Sequence, residues 1–145
     1  MTEEQNRLME MKLPESEETV LFALWECGGK AGFYQLQQQL GGQRWAPSTL
    51  LNFLYRLEKR GLVAVEKRGG RNRYRALARR QDYLAAQSLR FLARCWQGSP
   101  AALVRGLIDA RLLADEELEA LHLLADQELT ARYSGENDLY DPWEG

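Results

Sequence analysis

A single histidine, His122, occurs in the chain, and its scarcity removes most metal centres and acid–base sites built on imidazole. At helical spacing from Leu118 it reads as an ordinary helix or interface residue. Only two cysteines are present, Cys27 and Cys95, far apart and in no metal-like spacing. Two reduced thiols are therefore expected, with no disulfide framework. No run of about 18 apolar residues exists, so no membrane span is expected. The opening MTEEQNRLMEMK is polar and partly acidic, unlike a secretory signal or a transit peptide. Paired carboxylates and a Cys–His pair are missing, and GGKAG lacks the spacing of a nucleotide-binding loop. These absences point away from an enzyme and toward a soluble, cytoplasmic protein that needs neither metal nor cofactor.

What is present is charge, unevenly placed. The formal net charge of the 145 residues is −2, yet KRGGRNRYR, residues 67–75, holds five basic residues and no acidic one. Between 44 and 80, eleven basic residues face only Glu58 and Glu66, while 78–145 carries seven basic against twelve acidic residues. A basic block on an otherwise acidic chain is the footprint of a polyanion-binding face. The bland alternative is a solvated surface with no partner.

The chain length fits one domain, or one small domain with a helical extension. Residues 1–12 lack apolar periodicity and are expected to form a flexible, fraying N-terminus. LPESEETVLFALWECGG reads as a first helix. Pro14 and the acids Glu15, Glu17 and Glu18 suit its start, Val20, Leu21, Leu24 and Trp25 form its buried stripe, and Gly28–Gly29 stop it. GFYQLQQQLGG is a short second helix carrying Phe33, Leu36 and Leu40. WAPSTLLNFLYRLEKRGL is the third, with Pro47 in its first turn, Leu50, Phe53, Leu54 and Leu57 facing a core, and Gly61 as a left-handed cap. Its other face shows Ser48, Thr49, Asn52, Tyr55, Arg56 and Lys59. LVAVEK and RNRYRAL then read as two strands joined at Gly69–Gly70, a hairpin turn signal.

Three short helices followed by a hairpin is the winged helix-turn-helix arrangement, in which the third helix enters the major groove and the wing lies along the backbone. The fold class expected is mainly α (an α+β winged helix), with an N-terminal winged helix-turn-helix, a two-stranded β-hairpin wing and a C-terminal helical dimerisation region. Arg68, Arg71, Arg73 and Arg75 on the wing suit phosphate neutralisation, which gives affinity without sequence information. Ser48, Thr49 and Asn52 have the chemistry to reach base edges, and Arg56, one turn later, suits a phosphate. Alternatively, Ser48 and Thr49 merely help cap the helix, Arg56 pairs with Glu58 or Glu10, and Tyr55 packs under the wing.

The remainder is helical. RRQDYLAAQSLRFLARCWQG is too apolar for a lone exposed helix, Ser99–Pro100 opens another, and ADEELEALHLLADQEL a third. Their apolar faces need a partner, and a homodimer supplies one. Leu84, Phe91, Leu92, Trp96, Leu103, Leu107, Leu118 and Leu121 are the candidate dimerisation residues. The boundaries expected are 1–12 flexible, 13–78 DNA-binding, 79–130 dimerisation and 131–145 a flexible acidic tail, with a hinge near 77–82.

LPESEETVLFALWECG, WAPSTLLNFLYRLEKRGLV, RYRAL, RRQDYL, GSPAALVRGLI and LLADEELEAL together resemble the penicillinase-repressor (BlaI/MecI/CopY) family of bacterial regulators, from about Leu13 to about Ala125. The resemblance implies a winged-helix domain, a helical dimerisation domain, and a homodimer that occupies a palindromic double-stranded DNA operator and blocks transcription. In that family a W-S-P-x-T segment opens the recognition helix. Pro47 and Thr49 of WAPST match it directly, Asn52 and Arg56 fall at DNA-facing positions, and Ala46 replaces the usual capping serine. Members released by a sensor protease carry an Asn–Phe cleavage dipeptide where this chain has Gly106–Leu107, and copper-responsive members end in Cys-x-Cys motifs that are missing here. Control by a protease or sensor partner is thereby put in doubt, and copper sensing is not expected. The reading from another class is a winged-helix protein-interaction adaptor without sequence-specific DNA binding.

Overall fold

In the computed structural model, residues 2–139 are described. The chain divides into two compact units, Met1–Cys95 and Trp96–Gly145. No helix among the described residues is long and apolar enough to cross a membrane.

The first unit contains five helices, α1 (Glu3–Glu10), α2 (Glu15–Glu26), α3 (Phe33–Gln39), α4 (Pro47–Lys59) and α5 (Arg80–Cys95), with a short 3-10 turn at Gly41–Gln43. Three antiparallel strands complete it: β1 (Lys30–Gly32), β2 (Val63–Arg68) and β3 (Arg71–Ala76), in the order β1-β3-β2. The wing hairpin is thus two strands of a three-stranded sheet. The added strand pairs Ala31 opposite Tyr74 and Gly32 opposite Arg73, and at three residues it is too short to show an alternating pattern.

The core forms where one face of the sheet meets α2 and α4. Val20, Leu21 and Leu24 of α2 and Leu50, Leu54 and Leu57 of α4 pack with Leu36, Leu62, Val63 and Tyr74. The turn after α4 fixes how that helix meets the sheet. Gly61, at φ +75°, donates its N–H to the Glu58 carbonyl (2.9 Å) and Leu62 donates to Leu57 (3.0 Å), a closure that needs a left-handed residue. A Cβ at Gly61 would also press on Nη1 of Arg7 at 3.2 Å.

Two expectations about the ends of this unit are corrected. Residues 1–12 do not simply fray: Thr2 and Gln5 close a reciprocal capping box at 3.1 and 2.8 Å, and Leu8 is fully buried in the core. A single anchoring leucine gives no periodicity to read. Nor do residues 77–82 form a hinge. Leu77 donates its N–H to Leu62 (2.9 Å), the Trp25 indole N–H donates to the Ala78 carbonyl (3.1 Å), and the buried Tyr83 hydroxyl donates to Glu18 (2.6 Å). The α5 helix packs on α1, and Gln87 donates to the carbonyls of Leu8 (2.9 Å) and Met11 (3.0 Å). The helix expected to open the dimerisation domain therefore belongs to the first unit, and the division falls after Cys95.

Burial, then the Glu18 hydrogen bond, pushes the Tyr83 phenol above its ordinary value of 10.0. A raised value means the neutral phenol is favoured in the folded chain, so its stabilisation is complete below pH 10.0 and drains away as pH rises toward the raised value. Thermal unfolding followed between pH 9 and 11.5 should show a falling midpoint in the wild type and a shallower fall in Tyr83→Phe. Parallel curves for the two proteins would remove Tyr83 as the cause.

The second unit holds α6 (Pro100–Asp109) and α7 (Asp115–Leu139). Ser99 caps α6, its hydroxyl accepting the Ala102 N–H at 3.0 Å. The tail expected to be flexible from 131 is helical as far as Leu139, and the remainder of that tail, 140–145, lies outside the described residues.

Candidate nucleic-acid interface

The α4 helix begins at Pro47, whose missing N–H costs nothing in the first turn. Ala46 precedes it with no side-chain cap. The entry is held by packing instead, with the Trp45 ring edge-on to Phe53 at a centroid distance of 4.9 Å. With Leu50, Leu54 and Leu57 turned inward, Ser48, Asn52 and Arg56 lie in one exposed row at four-residue spacing, and Thr49 beside them is half-buried. Arg56 joins no salt bridge among the described residues, so neither Glu58 nor Glu10 holds it. Tyr55 is 55% exposed, with the Lys59 ammonium 5.3 Å from its ring centroid.

The wing turns at Gly69 and Gly70, at φ +57° and +79°. Two consecutive positive φ values are what a tight hairpin loop with the native strand twist demands, and glycine meets them at no steric cost. Arg68 and Arg71 sit opposite each other across this turn, and both are exposed.

The other two wing arginines behave differently. Arg73 and Arg75 share the strand face away from Tyr74, as alternation requires. Arg75 donates through Nε to Glu66 at 2.9 Å, and that hydrogen bond, with Lys30 and Arg68 adding to it, holds the Glu66 carboxyl below its ordinary range. Much of the Arg75 charge is thereby answered within the wing. Arg73 is half-buried, and its Nε is buried with no hydrogen-bond partner among the described residues.

Sequence reasoning did not anticipate Tyr34 at the start of α3, which is 72% exposed. It lines a cleft with Phe33, with Leu51 of α4, and with Arg68, Arg71 and Arg73 of the wing. The β1 strand is what brings α3 to the wing, so the missed strand and the missed cleft have one origin.

The candidate dimerisation residues fall in both units. In the first, Leu84 and Phe91 are exposed, whereas Leu92 is already buried within the single chain and offers little surface. In the second, Trp96, Leu103 and Leu107 are half-buried, Leu118 and Leu121 are exposed, and from Trp96 to Ser134 no side chain is buried. Gly106 and Leu107 lie inside α6, and a Cβ at Gly106 would overlap the Trp96 ring.

The family model described as the penicillinase repressor matches residues 13–127. No curated protein matches the chain. Among solved structures, the chain is similar to the organohalide-sensing RdhR transcriptional regulator in its 2,4-dichlorophenol-bound form. That pair shares 15% identity at a TM-score of 0.44, covering 88% of this chain and 70% of that one. It is also similar to the oxidized form of MarR from E. coli, at 14% identity and a TM-score of 0.45, covering 87% of this chain and 86% of that one. A cysteine-to-serine mutant of MarR from E. coli complexed with operator DNA gives the same four values: 14%, 0.45, 87% and 86%.

Proposed function

The chain belongs to the penicillinase repressor family, and from that premise we propose that it represses transcription as a homodimer, each protomer reading one half of a palindromic operator. It is a winged-helix DNA-binding regulator, not an enzyme. The observation that carries the finer reading is the exposed Ser48–Asn52–Arg56 row of α4 in the same unit as a glycine-tipped wing with Arg68 and Arg71 at its turn.

In this reading the wing and Arg56 hold phosphates, while Ser48, Thr49 and Asn52 reach base edges in the major groove. Arg73 adds to the phosphate contacts, and Arg75 contributes least because Glu66 occupies it. Leu118 and Leu121, with Leu84 and Phe91, supply apolar surface for a two-fold interface, which matches a two-fold-symmetric operator. Repression is steric: the dimer on a promoter-overlapping site denies it to RNA polymerase in the cytoplasm. Gly106–Leu107, standing where the Asn–Phe pair would be, puts release by cleavage at that point in doubt.

Binding the purified protein to fragmented DNA of its source genome, then sequencing what is retained at moderate salt, tests the proposal. Enrichment of a palindrome with two equal half-sites is the expected result. Retention without an enriched motif favours the adaptor reading and ends this one. On a recovered operator, Asn52→Ala should relax preference at one base pair per half-site by about 1–3 kcal/mol, measured by competition between the operator and single-base variants. An unchanged preference at every position would take Asn52 out of base readout.

A further inference from the structure

The cleft between the wing and the α3–α4 pair has a composition that duplex DNA does not explain. Its volume is about 630 Å³, within the range of small-molecule sites. One side is apolar and aromatic, built by Phe33, Tyr34 and Leu51, with Tyr34 and Leu51 exposed by 72% and 46%. The other side carries Arg68, Arg71 and Arg73, and among the described residues no carboxylate lines the cleft. Arg73 supplies the most specific feature. Among the described residues its Nε is buried without an acceptor, because Glu66, which the register sets opposite it, is bonded to Arg75 instead. A buried donor left unpaired is costly, and a planar guanidinium is matched best by a carboxylate or phosphate.

From this arrangement we propose that the cleft binds a small aromatic carboxylate, its ring against Tyr34, Phe33 and Leu51 and its carboxylate on the Arg73 guanidinium, in competition with DNA. The arginines select an anion, and a described lining that holds no acidic residue gives a cation nothing to pair with. The apolar wall selects a ring over an inorganic ion, because phosphate oxygens gain nothing from tyrosine, phenylalanine and leucine surfaces. A duplex backbone is a poorer occupant for the same reason. On α4 the cleft is bordered by Leu51, one position off the Ser48–Asn52–Arg56 row, so it lies beside the base-reading row and not along it. Competition follows from shared residues: Arg68 and Arg71 line the cleft and also bear the exposed charge of the wing. The binding step does not depend on the operator reading, but the competition does.

Calorimetric titration of the full chain without DNA, using 2-naphthoate, neutral 2-naphthamide and acetate as probes, tests the site. Naphthoate should saturate one site per chain with a Kd below about 1 mM, and the amide should bind at least about tenfold more weakly. Arg73→Gln and Leu51→Glu should each weaken naphthoate by about tenfold. Leu51 is exposed, so its variant carries the test if Arg73→Gln fails to fold. Naphthoate should then release bound operator at concentrations where acetate does not. Absence of saturation up to about 5 mM, equal binding of the amide, or indifference to both substitutions would overturn the site. Release by naphthoate no greater than by acetate would mark the cleft as a seat for DNA phosphate instead. DNA retention measured without any probe reads the regulator assignment separately, so either can fail while the other stands.

Discussion

Leu57→Ala should lower the unfolding free energy by about 2–5 kcal/mol and remove DNA binding at temperatures the wild type tolerates. Leu57 is fully buried, and it faces inward from the helix whose outer row we propose reads DNA. Its carbonyl also accepts the Leu62 N–H in the closing turn of α4. Truncation leaves a cavity between α4 and the sheet, and surrounding leucines already packed at the same level have little room to collapse into it. A domain of this kind holds roughly 5–15 kcal/mol in total, so the loss is a large share. Urea unfolding followed by circular dichroism measures it, with the exposed Ser48→Ala as a surface control near zero. A loss under about 1 kcal/mol would mean that the core does not rest on α4.

The pair Arg68→Ala/Arg71→Ala should weaken every DNA sequence alike, by roughly a hundredfold at moderate salt. It should also flatten the plot of log affinity against log salt by about 1.8, since each neutralised phosphate contributes about 0.9. Both side chains are exposed at the turn, where a phosphate backbone can engage them. Arg75→Ala makes the contrast, because Glu66 already answers that charge at 2.9 Å. Its slope should stay close to the wild type's. Fluorescence anisotropy on an operator and on a scrambled duplex, across a salt series, reads both quantities. A loss confined to the operator would move the wing from phosphate binding to sequence readout.

Much of this architecture was legible in the residues. The 3.6-residue spacing of Leu50, Leu54 and Leu57, Pro47 at the helix start and Gly61 past its end delimit α4, because each reports a local steric or hydrogen-bonding demand. Gly69–Gly70 marked the wing turn for the same reason. Charge marked the wing as a basic surface, but it said nothing about how the four arginines differ. That difference comes from cross-strand placement: the register sets Lys30 opposite Arg75 and Glu66 opposite Arg73, and Glu66 bonds diagonally to Arg75, a tertiary fact without a local signature. The three residues of β1 and the single anchoring Leu8 were invisible because periodicity needs repetition. The placement of α5 was misread for a related reason. An apolar stripe states that a helix is covered, and the covering element, α1, was itself unseen.

The α1 helix has a practical consequence for anyone trimming the chain. The family match begins at residue 13, so a fragment cut to that boundary discards Glu3–Glu10 entirely. It would lose the Leu8 side chain from the core, the Arg7 guanidinium that donates to the Arg60 carbonyl at the end of α4 (3.1 Å), and the carbonyls that receive Gln87 and Arg90 from α5. The α4 helix and the last helix of the unit are thus both moored to a segment that sequence likeness leaves out. A bulky affinity tag abutting Thr2 would press on the same mooring.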